Sequence, residues 1–562
     1  MRLWRNRLSR IGWLSVVGAV LGGCASTPPV PLRPQPIAYV DTVRIPEPRG
    51  RGSREVRRIM NNAIGGEISH AFSFSPAEAV NVTHFDDVVN SAWFEHRNYL
   101  GGMTPEDIWR GPTTVTGPDT SRVLTVIGGK SQGISPGFTI RDARGDTYIV
   151  KFDPSGFLHL SSGAGVIANR LLYGAGYHVP EDYIVVFDRD RVVVDPEAMI
   201  TGEDFIDRPM NQADIDLILD RVDALPNGLN LAIASRFVPG TPKGPFYFSG
   251  RRNDDPNDYY HHQYRRDLRG LYVVSSWINH VDMRFANTLD AYVEPGYLRH
   301  YLIDFAATLG SGTSRSHSPR EGAEYNFDFW PAMARIFSFG FYRMGWEETP
   351  YEVIDPSIGW LPKEDFDPAH WKANWPNEAF RSVTARDGYW GAKLVGSFTD
   401  AQIEAAVRAG ELPRASAEAA LVDILKYRRD RILEYWYGRV TPIENVRISS
   451  SSDGFNLSFE DLGLSAGVWV TSETRYEFSF RHDARSVEFT GSEPAMAGAK
   501  RQSIRLKLNQ GRDQASNPLS DEQSLATLRI TATRPRAEDR AVTVHLRWNG
   551  DGAGYEVAGL EH

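Results

Sequence analysis

The spacing of hydrophobic positions changes character several times along this chain of 562 residues. Ile11 to Leu21 is one continuous apolar run, eleven residues long and so too short to span a bilayer. Between about 110 and 200, short β-branched and aromatic runs predict strands around a single helix. Thr147-Tyr148-Ile149-Val150-Lys151-Phe152 follows a Gly145-Asp146 turn and predicts a strand, and Gly163 to Tyr173 predicts a helix stopped by Gly174 or Gly176. Tyr183 to Phe187 and Arg191 to Val194 predict a hairpin around Asp188-Arg189-Asp190. From Tyr264 to His280, Leu268, Leu271, Val274 and Ile278 recur at helical spacing. The stretch 400–438 predicts helix, with Asp400 and Ser416 as N-caps and Gly438 as the stop.

Past Thr441-Pro442 the period becomes two. Val468-Trp469-Val470, Tyr476 to Phe480, Ile504 to Leu508, Leu528 to Ile530 and Val542 to Leu546 all alternate. Such runs, divided by Gly, Ser, Asp and Pro clusters, predict a small all-β sandwich over 441–562.

Composition narrows the class. The chain is 41% hydrophobic and 24% charged, which is globular, and its length implies more than one domain. Its net charge of −9 and the lack of a basic stripe argue against nucleic acid as a partner. A single cysteine excludes an internal disulfide and any cysteine-rich metal centre.

That cysteine, Cys24, ends Leu21-Gly22-Gly23-Cys24, directly after the apolar run, and Arg2, Arg5, Arg7 and Arg10 precede the run. The order of basic, apolar and small residues predicts an export signal over 1–23. Its ending resembles a bacterial lipobox, which implies lipidation of Cys24, a membrane contact through that lipid, and a place in the cell envelope. Ala25, where retention in an inner membrane usually shows Asp, implies the outer membrane, facing the periplasm or the surface. Residues 24–75 read as a Pro-rich tether and lead-in, extended as far as about Arg51.

The chemistry concentrates in Asn279-His280-Val281-Asp282-Met283-Arg284-Phe285-Ala286-Asn287 and in Ile303-Asp304-Phe305-Ala306. Phosphoryl transfer needs one carboxylate beside the acceptor hydroxyl, and an Asn and a second Asp to hold Mg²⁺ against the phosphates. A loop offering Asp282 and Asn287, followed by a strand ending at Asp304, supplies all three. Upstream, Gly128, Gly129, Lys130, Gly133 and Gly137 belong to a Gly-rich run ahead of the Lys151 strand. Glycines let backbone N–H groups approach phosphate oxygens, and a lysine on the next strand reaches them.

These motifs resemble the protein-kinase-like superfamily. His280-x-Asp282 with Asn287 is similar to its catalytic loop, and Asp304-Phe305-Ala306 to its metal-binding segment. Val150-Lys151-Phe152-Asp153-Pro154, Ala175-Gly176-Tyr177-His178-Val179-Pro180 and Asp400-Ala401-Gln402-Ile403 look closer to atypical bacterial members, the spore-coat (CotH-type) and HipA-type kinases. The resemblance implies an α+β fold, a two-lobed protein-kinase-like domain over 76–440 followed by the β-sandwich. The first lobe would cover about 110–240 and the second about 241–440.

It further implies ATP with Mg²⁺ or Mn²⁺ and a protein or envelope acceptor. Asp282 would act on the acceptor, Asn287 and Asp304 would hold metal, and Lys151 with the glycine run and Lys130 would hold phosphates. His280 would pack and orient the loop. The sequence departs from the family pattern at Gly165, where the helix after the lysine strand should carry a glutamate for Lys151. That departure keeps a non-catalytic binding scaffold open beside the enzyme; nucleotidyl (AMP) transfer on the same carboxylates is a third reading.

Other clusters have simpler explanations. Asn253 to Asp258 with His261-His262 reads as a solvated polar loop, with a wall of the nucleotide cleft as the alternative. Six tryptophans between 330 and 390 read as the core of a helical lobe, with a glycan or peptide platform as the alternative. The hydroxyls of Gly310 to Ser316 lie where an activation segment would take phosphate.

Overall fold

The computed structural model describes residues 40–52, 77–129, 136–201, 207–312, 314–326, 328–339, 341–451, 454–507, 523–549 and 554–562. The expected signal segment, Cys24, most of the 24–75 lead-in, Lys130 and Gly133 lie outside them.

Helix α1 (Pro105–Arg110) opens on a Thr104–Asp107 capping box. The first lobe is then built on strands β1 (Leu124–Gly129), β2 (Gly137–Arg141) and β3 (Thr147–Lys151), helix α2 (Leu160–Ala175), β4 (Asp182–Phe187), β5 (Val192–Thr201), β6 (Asp207–Pro209), α3 (Gln212–Leu219) and β7 (Asn230–Arg236). They form one sheet in the order β4-β7-β3-β2-β1-β5-β6. Alternation drives it: Leu124, Val126, Phe138, Ile140, Tyr148 and Val150 turn one face into a buried core.

The hairpin expected around Asp188-Arg189-Asp190 does not form. β4 pairs with β7, and β5 runs parallel to β1. A short 3₁₀ turn, Arg189–Arg191, joins them. From Phe187 to Val192 the chain reaches at most about 19 Å. Five strand spacings in a flat sheet come to about 24 Å, so the sheet must curl to bring its two sides together.

The second lobe holds β8 (Thr241–Pro242), α4 (Arg266–Trp277), β9 (Thr288–Val293), β10 (Tyr297–Leu302), α5 (Phe329–Phe337), α6 (Glu378–Arg381), α7 (Ala385–Gly396), α8 (Asp400–Arg408) and α9 (Ala415–Tyr437). The predicted stripe of α4 is wholly buried: Leu268, Leu271, Val274 and Ile278 are at most 2% exposed. α4 and α7 approach through Gly270 and Gly391, where an added Cβ would meet Trp390 at 2.4 Å and the Gly270 carbonyl at 2.7 Å. The expected caps are each displaced. Thr399, not Asp400, caps α8 in a box with Gln402, and α9 starts after Arg414 with Ser416 already inside its first turn.

The end of the lead-in is extended but packed rather than free. Ile45 N–H donates to Gly296 O (2.8 Å), Arg51 N–H to Lys243 O (2.9 Å), and Asp41 accepts from Ala92 N–H (2.9 Å). The 253–262 loop is solvated only in part, with Asn253, Asp254, Tyr259 and His261 exposed. Asp255, Asn257, Asp258 and His262 are buried, and His262 pairs with Asp258 at 2.9 Å. Beneath them Arg252 meets Asp290 (2.8 Å), which meets His300 (2.7 Å). Most of these buried polar groups find a partner, Asp258 Oδ1 being an exception among the described residues, which is how part of the polar run can be internal.

The remaining strands, all antiparallel, are β11 (Ile443–Ser451), β12 (Gly454–Asp461), β13 (Arg475–His482), β14 (Val487–Pro494), β15 (Gln502–Lys507), β16 (Leu525–Thr533), β17 (Val542–Trp548) and β18 (Tyr555–Glu561). Sheets β11-β12-β15 and β14-β13-β16-β17-β18 enclose one core around Leu457, Phe459, Phe480, Ile504, Leu528 and Val544. Val468-Trp469-Val470 is not a strand: Trp469 is buried against the Arg534 guanidinium and donates to Pro535 O. The two-lobed α+β domain followed by an all-β domain is the architecture expected from the sequence.

Candidate functional site

The site forms where the two lobes meet, and local geometry explains each residue's place. β9 and β10 form a hairpin whose register sets Thr288 opposite Leu302. The next step of that ladder, Ile303 N–H to Asn287 O at 3.0 Å, brings Asn287 beside the residue preceding Asp304. The seventeen-residue separation in sequence thus closes to a neighbour contact.

Asn287 is nearly buried, and its Nδ2 donates both to Asp282 O (2.8 Å) and to Asp282 Oδ2 (2.9 Å). Both amide hydrogens are thereby used, and the amide oxygen accepts no hydrogen bond among the described residues. The other oxygen of Asp282 pairs with Arg284 Nε at 2.9 Å. Burial raises the Asp282 carboxyl above its ordinary range; Arg284 and then Asn287 oppose this, and Asp304 adds to it.

Lys151, the last residue of β3, crosses to the second lobe and meets Asp304 Oδ1 at 2.7 Å. Asp304 adopts φ +63°, a left-handed conformation uncommon for a side chain with a Cβ. Asn279, at φ +50°, begins the loop, with its amide oxygen accepting from Trp371 Nε1 (2.8 Å). Strained backbone at both ends of a polar cluster is a known property of functional sites.

His280 is fully buried and meets Phe305 edge-on at 5.9 Å. Burial pulls its pKa down to about 4 against the opposing charge of Asp304, so the ring is neutral near pH 7. It packs the loop against the Asp304 segment. Gly128 and Gly129 close β1, paired with β2 on one side, while Gly128 also aligns with Met199 of β5. They therefore flank the β1–β2 connection ahead of the Lys151 strand.

Gly165 explains its own departure from the family pattern. A Cβ there would lie 2.7 Å from Ile233 and 4.0 Å from the backbone of Phe305 and Ala306. α2 packs alongside the Asp304 segment, and a glutamate there would have to displace the end of the Ile233 side chain. Lys151 finds its carboxylate in Asp304 instead.

Three functional contacts escaped sequence reading. Arg284 stands two residues after Asp282 in extended backbone, the spacing that puts two side chains on one side. Asp153, two residues past Lys151, accepts from the backbone N–H groups of His159, Ser161 and Ser162 and from the Ser162 hydroxyl. It caps α2 from a distance and so fixes the end of β3 to that helix, whereas the adjacent His159 provides no cap. Ser161 Oγ in turn meets Ser311 Oγ at 3.0 Å.

Ser311 and Ser316 are buried, hydrogen-bonded hydroxyls, Ser314 is exposed, and Thr313 lies outside the described residues. Among the tryptophans, Trp360, Trp371 and Trp390 are core. Trp346, Trp360 and Trp371 wall a cavity of about 340 Å³ with Asn279 on one side.

The group implied by the resemblance, a divalent cation with a nucleotide, fits this donor set. A carboxylate on Asp304 and a free amide oxygen on Asn287 are the hard oxygen ligands that Mg²⁺ and Mn²⁺ take.

No family model matches the chain, and no curated protein matches it. Among solved structures it is similar to the Helicobacter pylori proinflammatory kinase CtkA, at 10% identity and a TM-score of 0.30, over 57% of this chain and 97% of that one. It is also similar to the Golgi casein kinase with Mn/ADP bound, at 11% identity and a TM-score of 0.29, over 58% and 74%. A further Golgi casein kinase structure gives 10% identity and a TM-score of 0.30, over 72% and 95%.

Proposed function

We propose that this chain is a kinase-like phosphotransferase that uses ATP with Mg²⁺ or Mn²⁺ and is anchored in the cell envelope through a lipid on Cys24. The observation that carries the reading is the convergence of Lys151, Asp282, Asn287 and Asp304, drawn from three separate segments, on the junction of the lobes.

Each residue has a task set by its surroundings. Asp304 and the amide oxygen of Asn287 would hold the metal, which when bound neutralises phosphate charge. Lys151 presents a cation to the phosphates from the rigid end of β3. Asp282, held by Asn287 and Arg284, is aimed by two contacts and can take the proton of an acceptor hydroxyl. As that oxygen bonds to the transferred phosphorus, the bond from phosphorus to the leaving nucleotide oxygen breaks. The acceptor is a hydroxyl of a protein or an envelope component.

The test is a thermal-shift titration of the chain from residue 24 onward with ATP and Mg²⁺ or Mn²⁺. At a ligand concentration 100 times Kd, binding adds about 2.7 kcal/mol. A metal-dependent shift that disappears in Asp304→Ala supports the reading, followed by a search for phosphorylated product. The mass of that product separates phosphoryl from nucleotidyl transfer.

A non-catalytic scaffold is favoured by one observation: Lys151 is neutralised by Asp304, with no acidic residue on α2 to hold it apart. Absence of any shift with nucleotide and metal would select that reading.

A further inference from the structure

At the end of α5 and just beyond it the chain turns its apolar residues outward. Ile336, Phe337, Phe339 and Phe341 are 65, 75, 91 and 87% exposed, and Tyr342 is exposed beside them. On a folded surface, large apolar side chains this close together and this open mark a contact site.

Four backbone N–H groups here are satisfied locally. Ser338 N–H donates to Ala334 O (2.9 Å), Phe339 N–H to Ile336 O (3.1 Å) and Phe341 N–H to Ser338 O (3.1 Å), while the Ser338 hydroxyl accepts from Tyr342 N–H (2.8 Å). These internal bonds suit hydrocarbon, which offers no partner to a backbone N–H, and they leave little for a strand-adding protein partner to use. Exposed Tyr342 and Arg343 follow the phenylalanines, the order of apolar tip and amphipathic shoulder that sits at a membrane–water interface.

The chain outside the described residues points to the same occupant. Val40 is the first described residue, and Cys24 lies sixteen positions upstream. Sixteen extended residues reach at most about 55 Å. A lipid on Cys24 would therefore hold the domain within a domain's width of a bilayer.

We propose that the exposed Phe337, Phe339 and Phe341 insert into the membrane that carries the lipid anchor, as a second membrane contact. This rests on the Cys24 reading for the identity of the surface, and not on the phosphotransferase reading. A membrane is chosen over a second copy of the chain because the tether supplies the membrane at close range.

The experiment is vesicle flotation of the chain from residue 24 onward carrying Cys24→Ser, so that no lipid can assist. Vesicles of phosphatidylethanolamine and phosphatidylglycerol are the probe. The expected result is flotation that falls at least tenfold in Phe339→Ser/Phe341→Ser, with the melting temperature unchanged because both rings are exposed. Failure of the Cys24→Ser chain to float, or flotation indifferent to the double substitution, overturns the proposal. So does sedimentation showing that the same phenylalanines drive self-association in place of vesicle binding. The mass of the N-terminal peptide from cell-made protein tests the Cys24 reading separately, so the two failures cannot be confused.

Discussion

Lys151 Nζ lies 2.7 Å from Asp304 Oδ1, so the cation expected to hold phosphate and the carboxylate expected to hold metal neutralise each other across the junction of the lobes. The pair is partly solvated, with side chains 15% and 39% exposed, which keeps it a separable contact rather than a buried lock. On the proposed function, entry of a metal nucleotide would exchange this one bond for two: Lys151 to phosphate and Asp304 to metal.

Competition for Asp304 has a measurable consequence. In Lys151→Met the carboxylate no longer has its ammonium partner, so Mn²⁺ alone should bind more tightly than to the wild-type protein. ATP should bind more weakly in the same variant, because a phosphate contact is gone. Calorimetric titration with each ligand reads both. Weaker Mn²⁺ binding in Lys151→Met would remove Asp304 from the metal site.

Arg284 holds one oxygen of Asp282 as Asn287 holds the other. Without it the carboxylate keeps one restraint and can swing off the acceptor. Arg284→Gln is expected to lower kcat by about tenfold to a hundredfold, a part of the roughly hundredfold to ten-thousandfold that a positioned proton acceptor contributes. The KM for ATP should stay near the wild-type value, and Arg284→Lys should recover part of the rate. An equal rise in KM with kcat unchanged would place Arg284 in nucleotide binding instead.

Asp86 joins four parts of the chain. It pairs with Arg266 of α4 (2.9 Å) and Arg386 of α7 (2.8 Å), and it meets His562 at the end of the β-domain (3.3 Å). Burial alone would raise its carboxyl, but Arg266, His562 and Arg386 outweigh this and hold it well below the usual range. A depressed carboxyl contributes stability that is present above the unfolded value, about 3.9, and lost as pH falls toward the folded one. Asp86→Asn is expected to cost about 1–3 kcal/mol at neutral pH: Arg266 keeps Asp387 and Arg386 keeps Glu561, but each loses a buried carboxylate partner. It should also flatten the loss of stability on acidification. Denaturant melts of both proteins at about pH 7 and about pH 3 check the two effects. A cost within 1 kcal/mol, about that of an ordinary substitution, would deny the cluster its role.

Much of this was legible in the sequence because the signals were local. The α4 stripe, the Lys151 strand and the spacing from Asp282 to Asn287 depend on neighbours a few residues away. The pairing of β5 with β1 was not legible, because the Asp188-Arg189-Asp190 turn is short enough for a hairpin and only the curl of the whole sheet redirects it. The 253–262 loop misled for a similar reason. Its polarity is that of a surface, and its partners Asp290 and His300 come from the distant β9–β10 hairpin. Arg284 carried a signal, the two-residue alternation with Asp282, that the search for carboxylates and amides passed over.

Gly165 gives the last prediction, because here sequence and structure explain the same residue differently. By family pattern it is a lost glutamate, and restoring the acid should improve the site. By structure it is a close contact: the position faces Ile233 at 2.7 Å and lies against the Phe305–Ala306 backbone. A glutamate side chain would have to displace Ile233 or push α2 away from the Asp304 segment. Overpacking of this kind costs about 1–3 kcal/mol. Gly165→Glu should therefore melt earlier and bind metal nucleotide more weakly. Gly165→Ala, which needs only the end of the Ile233 side chain to shift, should lie between it and the wild type. Melting curves with and without ATP and Mg²⁺ decide the matter. A Gly165→Glu protein as stable as wild type and tighter for nucleotide would show that Lys151 lacks a partner that α2 has room to provide.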